Sequence, residues 1–396
     1  MKSISKTVWL LSLISLFTDT ASEMLYPIMP IYLKSIGFSV FIIGILEGIA
    51  EATAGLSKGY FGNLSDITGK RVPFVQIGYA LSAISKPLMA IFIHPVGILF
   101  ARTMDRLGKG IRTGARDALL SSEASHSNKG KIFGFHRSMD TIGAVIGPVI
   151  ALSYLYFFPD DYKALFFIAF IPGLLAILIS FLLKENVQHI HSNTKITFLS
   201  FVNYWKKSNN NYKRLTIGLL LFALINSSDV FLLLKAKSIG LNDRQVLITY
   251  IFYNLTYALF AFPLGIIADK LGLKNVFIFG LTLFAFVYFG MAIIDHKTLL
   301  YFLFFIYGIY AAATEGIAKA WISNIVLKSE TATAIGTYSA FQSICTMIAS
   351  ATTGYLWYKY SATFAFLFIS VVTLILCMYF IFVPYSAQAQ IQTKNN

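Results

Sequence analysis

Gly62-Asn63-Leu64-Ser65-Asp66-Ile67-Thr68-Gly69-Lys70-Arg71 has a counterpart 203 positions later, Gly265-Ile266-Ile267-Ala268-Asp269-Lys270-Leu271-Gly272-Leu273-Lys274. The shared frame is Gly-x-x-x-Asp-x-x-Gly followed by a base. Upstream, Lys34-Ser35-Ile36-Gly37 returns as Lys237-Ser238-Ile239-Gly240 at the same offset, in a chain of 396 residues. A repeat spaced at half the chain is a duplicated half. Each copy lies among long apolar segments, so the chain reads as two homologous membrane bundles facing each other, a pairing that moves a solute between them.

Hydrophobic residues make up 57% of the chain, aromatic residues 16% and charged residues only 13%, with a mean hydropathy of +0.69. A water-soluble surface cannot be built from that composition. The apolar runs suit helices of roughly 20 residues and are too unbroken for the alternation of a transmembrane barrel. The expected fold is therefore all-α and integral to the membrane, with twelve transmembrane helices in two pseudo-symmetric six-helix bundles. Spans are expected near 8–33, 39–61, 72–94, 97–121, 133–157, 163–183, 215–236, 245–268, 275–294, 298–322, 334–357 and 361–383. They divide the chain into an N-terminal bundle (1–183), a polar linker (184–214) with an amphipathic piece around 198–205, and a C-terminal bundle (215–396).

An even number of spans puts both termini on one side. Lys2, Lys6, Lys70, Arg71, Lys129, Lys131 and six basic residues of the linker share that side and outnumber the bases of the opposite loops. Both termini are thus expected in the cytoplasm, with the chain in a prokaryotic inner or cytoplasmic membrane. The net charge of +14 reflects this bias in part, and with the apolar content it gives no support to a nucleic-acid partner. Lys2 and Lys6 before an apolar run imitate a signal peptide, but the apolar stretch continues through Tyr32 and a retained first span is expected. Cys345 and Cys377 fall inside spans, which argues against a structural disulfide or metal site, and nothing indicates a cofactor. No nucleophile, histidine or metal constellation has a supporting spacing: His189 and His191 lie in the linker, and His126 and His136 flank a basic loop. An enzyme is not expected.

Twelve spans in two halves, with Gly62-x-x-x-Asp66-x-x-Gly69-Lys70-Arg71 between the second and third, resemble the major facilitator superfamily over essentially the whole chain. The resemblance implies alternating access, in which the halves rock about a central site, and action as a monomer in the bilayer on a small-molecule substrate. It also implies a cytoplasmic latch, which falls here on Gly62, Asp66, Gly69 and Arg71 and, in the second copy, on Gly265, Asp269 and Gly272. The chemistry suits that role: Gly62 lets helices approach, Gly69 permits a tight turn, and Asp66 can pair with a cation or cap a neighbouring helix. Lys70 and Arg71 can equally be ordinary positive-inside residues.

Two further motifs of the superfamily are present in degraded form. Arg106-Leu107-Gly108-Lys109-Gly110 resembles an Arg-x-x-x-Gly element of the fourth span, with Lys109 where Gln is common and Arg112 where a second Gly is expected. Gly143-Ala144-Val145-Ile146-Gly147-Pro148 resembles a fifth-span element associated with exporters of the antiporter type. Close packing of small residues explains it equally well. Phe17 to Pro27, Asp105 to Arg112 and Ala115 to Leu119 are similar to a prokaryotic subgroup of the superfamily, a likeness that supplies no substrate.

Ionisable residues inside spans are functional candidates, because each costs about 3 kcal/mol at the bilayer centre even on lenient scales. On the fourth span Arg102, Asp105, Arg106, Lys109, Arg112 and Arg116 recur every three or four residues and form one stripe that cannot face lipid. Asp19 and Glu23, and likewise Glu47 and Glu51, stand one turn apart. Asp19 lies roughly 16 Å into its span, near the midplane. These four acids are the candidates for proton coupling. In the N-terminal interior the acids Asp19, Glu23, Glu47, Glu51, Asp105 and Asp140 face the bases Lys58, Lys86, Arg102, Arg106, Lys109 and Arg112, six against six. A closed network of ion pairs would satisfy them all without a ligand. If instead protonation frees a base, its fork can take an anionic group of the substrate. The substrate-binding candidates are Arg102, Arg106 and Lys109, the deepest of the stripe, with Asp229 and Glu315 from the other half. Glu315 and Lys319 are also spaced to satisfy each other along one helix. The C-terminal interior is otherwise aromatic, with Tyr250, Tyr253, Tyr257, Tyr307, Tyr310 and Trp321. A polar wall facing an aromatic one suits an amphipathic organic anion.

The sequence thus reads as a proton-coupled secondary active transporter, more an exporter than an importer, with the fifth-span element giving the direction. A proton symporter importing a carboxylate-rich nutrient or chelate would use the same cationic stripe. A non-transporting receptor or assembly protein of the same fold would tolerate neutralisation of the buried acids.

Overall fold

The computed structural model describes residues 4–38, 40–185 and 200–382. Fifteen α-helices and no strand occur among them. The first span is broken into α1 (Lys6–Leu25) and α2 (Met29–Ser35); α3 (Val40–Thr68), α4 (Val72–Ile91), α5 (Pro95–Ser122), α6 (Lys129–Phe157) and α7 (Tyr162–Ser180) complete the first half. A short α8 (Ser200–Lys207) lies in the connection. The seventh span is again broken, into α9 (Asn210–Ala223) and α10 (Val230–Ser238). It is followed by α11 (Asp243–Leu271), α12 (Leu273–Ile293), α13 (Lys297–Ile325), α14 (Thr331–Lys359) and α15 (Ala362–Phe382). Twelve spans in two six-helix bundles result. Eight of these helices are long and apolar enough to cross a bilayer on composition alone. Charged α3 and α5, the broken α9–α10 pair and the Ser- and Thr-bearing α14 complete the set by packing among them.

The sequence repeat is carried into the backbone. α3 and α11 have bounds offset by the same 203 positions. The glycines with positive φ are Gly37 (93°) and Gly69 (64°) in one half, Gly240 (94°) and Gly272 (95°) in the other, all from the repeated motifs. Each ends a helix in a conformation that a Cβ would oppose. Both broken spans also open at equivalent depth, but for different reasons. Pro27 removes a backbone donor in the first, whereas polar Asn226-Ser227-Ser228 interrupts the second. Irregular backbone at that depth persists only where protein or a cavity covers it.

Within the first half, Gly143 and Gly147 press α6 onto α1: a Cβ on them would lie 2.3 Å from the Leu16 carbonyl oxygen and 2.5 Å from that of Thr20. The fifth-span glycines therefore serve intra-half packing. Between halves, α3 lies against α14 and α6 against α11. α14 is buried on every side from Thr331 to Ala340, then shows a stripe of exposed Ile344, Met347, Ile348 and Tyr355. The halves thus meet closely near the linker side. The amphipathic helix sits on that closed side as α8, where Trp205 packs edge-on against Tyr212 and Phe341. Burial, and then the Glu330 carboxylate 3.3 Å from its oxygen, hold the Tyr204 hydroxyl protonated well above its ordinary range.

Candidate functional site

The two repeated acids make equivalent contacts across the seam. Asp66 Oδ2 accepts from the Thr333 backbone N–H at 2.7 Å and its hydroxyl at 2.8 Å, at the start of α14, while Oδ1 meets Arg71 at 3.2 Å. Asp269 accepts from the backbone N–H groups of Gly130 and Lys131, both at 2.7 Å, at the start of α6. Each half therefore caps a helix of the other, a carboxylate against a positive helix end. Gly62 and Gly265 supply the clearance, since a Cβ on them would lie 2.5 Å from the Ala332 carbonyl oxygen and 2.3 Å from that of Gly130. The copies differ at their bases. Arg71 reaches over to the Lys328 carbonyl at 2.9 Å, but Lys274 bonds the Ile381 carbonyl of its own half. Gly69 and Gly272 shape the turns and stand outside these contacts. Lys129, donating to the Ser323 carbonyl, adds a further bond across the seam.

One layer deeper, charges tie the halves side chain to side chain. Asp117, fully buried, takes Arg116 at 3.0 Å from its own helix and Lys319 at 2.8 Å from α13. Arg137 is a three-way node: it bonds Asp140 at 2.5 Å, Glu315 of α13, and the Tyr257 hydroxyl at 2.5 Å on α11. Glu315 and Lys319 thus do not satisfy each other. One turn apart on one helix, they point to different partners in the opposite half: Lys319 to the fully buried Asp117, which needs a counter-ion most, and Glu315 to the half-buried Arg137. Ser15 links Arg116 at 3.3 Å to Asp140, closing the layer. His136 also differs from its sequence reading. It is buried beside this layer, with Nδ1 3.4 Å from the Ser12 hydroxyl, rather than flanking a surface loop.

Beyond this layer the two walls differ in character. On the first half's wall, Asp105 closes a local network with Lys86 at 2.7 Å and Arg102 at 3.6 Å, and Arg112 stacks 4.5 Å over Tyr79 while bonding Ser82 at 2.6 Å. These charges are spent on the half's own structure. Arg106 and Lys109 are not: neither forms an ion pair among the described residues, the Arg106 Nε has no hydrogen-bond partner there, and Lys109 is exposed in mid-span. Glu51, also exposed, faces Arg106, Lys109 and Lys58. Charged groups at that depth face the bundle interior or a water-filled cavity rather than lipid. Asp19 lies beside Asp140 and Lys109, and Glu23 receives the Tyr250 hydroxyl at 3.0 Å from the other half. The Glu47 side chain lies outside the described residues. On the second wall, Asp229 stands at the α9–α10 break and accepts from Tyr253 at 2.7 Å and Tyr307 at 2.6 Å.

Of the sequence candidates, the structure brings Glu23 and Glu51 beside Arg106 and Lys109, joins Asp229 to Glu23 through Tyr253 and Tyr250, and puts Arg102 in the Asp105 network and Glu315 in the inter-half layer. Sequence reasoning passed over Arg137, Asp117 and Thr333. Arg137 had a detectable signal, its i,i+3 spacing to Asp140 inside an apolar helix, whereas Thr333 carries none. Among the described residues no group of His, Cys, Asp and Glu gathers to hold a metal.

Two six-helix halves meeting at a seam of buried charge make a multi-pass membrane protein. The sequence model of the Major Facilitator Superfamily matches residues 11–252 and 215–395, and the chain belongs to that superfamily. It is a secondary transporter of a small-molecule substrate, and not an enzyme. An uncharacterized MFS-type transporter of Methanocaldococcus jannaschii is 32% identical over 391 residues, 96% of each chain. A multi-drug resistance efflux pump PmrA homolog of Lactococcus lactis is 22% identical over 384 residues, 90% of each chain. Among solved structures, the human organic anion transporter MFSD10 (TETRAN) superposes with a TM-score of 0.79 at 15% identity, covering 94% of this chain and 98% of its own.

Proposed function

We propose that this protein is a proton-coupled exporter of a small amphipathic organic anion, working by alternating access as a monomer in a prokaryotic inner or cytoplasmic membrane. The observation that carries the reading is the pair of unspent cations, Arg106 and Lys109, facing an aromatic wall with Glu23 and Glu51 beside them. An anionic group of the solute satisfies these cations, and the aromatic wall covers its apolar body. Asp19, Glu23, Glu47 and Glu51 are assigned the coupling proton: when ionised, Asp19, Glu23 or Glu51 competes with the solute's anionic group for Lys109 or Arg106, and protonation lifts that competition. Residues 1–183 and 215–396 rock about this site, joined by 184–214. With the linker side in the cytoplasm, Asp66, Arg71 and Asp269 latch the cytoplasmic side in the described state, together with Gly62, Gly69, Gly265 and Gly272. The efflux pump of Lactococcus lactis and the human organic anion transporter support export and an anionic solute.

The test is flux of organic anions, carboxylates and amphipathic drugs in reconstituted vesicles under an imposed pH gradient, with internal pH followed by a dye. Export predicts solute movement opposite to the proton. Movement of both in the same direction indicates an importing symporter, and flux that ignores the gradient removes proton coupling.

A further inference from the structure

Asp229 differs from every other described acid within the spans. Asp105, Asp117, Asp140 and Glu315 have cationic partners, and Glu51, Glu23 and Asp19 have Arg106 or Lys109 among their neighbours. Among the described residues the one charged group near Asp229 is another acid, Glu315. Its two oxygens each accept a tyrosine hydroxyl, Oδ1 from Tyr307 at 2.6 Å and Oδ2 from Tyr253 at 2.7 Å. A carboxylate is acceptor-only, and both of its oxygens are taken up here by donating hydroxyls. An anion fixed at that depth, with no cation among the described residues, lacks a counter-charge.

The surroundings specify what fits. Tyr253 lies 5.6 Å from Tyr250 and 5.4 Å from Tyr307, and Tyr307 lies 5.2 Å from Tyr310, all between ring centroids. Aromatic rings about a carboxylate favour an ammonium group, which gains both the ion pair and the ring faces. A guest of that kind also reaches the cationic wall. Tyr250, packed on Tyr253, touches Glu23 of the first half at 3.0 Å, and Glu23 neighbours Lys109 and Arg106. The Tyr253–Tyr250 pair and Glu23 thus stand between the acid of one wall and the bases of the other.

We propose that Asp229, framed by Tyr253 and Tyr307, receives an amine of the transported solute, so that the solute is a zwitterion with its anionic end on Arg106 and Lys109 and its cationic end on Asp229. This rests on the anion-binding reading of Arg106 and Lys109. A solute with both charges neutralises both walls, whereas a simple anion leaves Asp229 uncompensated.

The test uses three matched probes on the full chain in lipid nanodiscs at pH 7.4, by calorimetric titration. They are ciprofloxacin, which carries a carboxylate and an amine at opposite ends of a rigid ring system, its N-acetyl derivative (anion only), and its methyl ester (cation only). Ciprofloxacin is expected to bind at least ~10-fold more tightly than either blocked form. Asp229→Asn should bring it down to the affinity of the N-acetyl derivative. Tyr307→Phe, which keeps the acid and removes one donor, should cost the amine-bearing probes about 3-fold. Equal affinity for the blocked forms, an undiminished preference in Asp229→Asn, or no binding by any of the three overturns the proposal. The two readings separate on the blocked forms: binding of the N-acetyl derivative that Arg106→Gln abolishes keeps anion recognition even if the zwitterion fails, and binding of the methyl ester alone removes both.

Discussion

A single carboxylate at the seam does two kinds of work at once, and substitution separates them. Asp66→Asn keeps an acceptor for Thr333 but removes the charge that Arg71 and the α14 terminus oppose. The loss of a charge-assisted contact of about 2 kcal/mol should open the linker side more often. A thiol introduced as Ser339→Cys, at a buried seam position of α14, should then react faster with a soluble maleimide, and an unchanged rate would remove Asp66 from the latch. Arg137→Gln should be costlier, because it strands Asp140 and Glu315 together; a loss of about 3 kcal/mol in thermal or denaturant stability is expected. Adding Glu315→Gln should recover part of it, which a double-mutant cycle reads directly. Glu23→Gln should leave the protein in the membrane but abolish proton-driven flux. At this scale the sequence was legible where charge stood in an apolar run. The acid side of the latch could be read from Asp66 and Asp269, but their acceptor-seeking partners could not. Backbone N–H groups at Thr333, Gly130 and Lys131 are donors in any sequence, and only tertiary packing selects them.

Among the helices, glycine separates contacts that must hold from contacts that must part. Gly147 stands between α6 and α1 inside one half, and Gly62 between α3 and α14 across the seam. A leucine at either position meets backbone and cannot be accommodated by a side-chain shift. The expected consequences differ. Gly147→Leu should lower the yield of folded protein in detergent, as judged by size exclusion. Gly62→Leu should leave a monodisperse protein whose linker side cannot seal, so that the Ser339→Cys thiol labels rapidly and accumulation against a gradient is lost. Most helices were foreseeable from apolar run length, since a bilayer permits little else. The breaks at 26–28 and 224–229 were not. Pro27 alone does not end a membrane helix, and an Asn-Ser-Ser run within an apolar stretch is ordinarily bridged by neighbours.

At the scale of the whole chain, the described state is sealed on the linker side, with Glu23 and Tyr250 still in contact between the halves beyond it. A Cβ on Gly55 would lie 2.8 Å from that of Ser343, so a helix shift of under about 1 Å brings paired cysteines to disulfide geometry. In a background with Cys345 and Cys377 replaced by Ser, Gly55→Cys with Ser343→Cys should form a disulfide, halt transport, and recover on reduction. Free transport in the oxidised protein would mean that the seam does not part during the cycle. The twofold plan was visible from the 203-residue offset, because duplication writes itself into sequence. The pairing of Lys319 with Asp117 was not, because each of these residues lies on a helix whose own neighbours offer a nearer partner. The reciprocal capping by Asp66 and Asp269 carries a last implication. In a twofold homodimer, whatever one subunit does to its partner, the partner does back, so a contact arises twice from one surface. Two identical six-helix units, each setting its acid on the other's helix end, would produce this seam without any further invention. The two copies are not equal at their bases: Arg71 bonds a carbonyl of the opposite half, and Lys274 bonds one of its own.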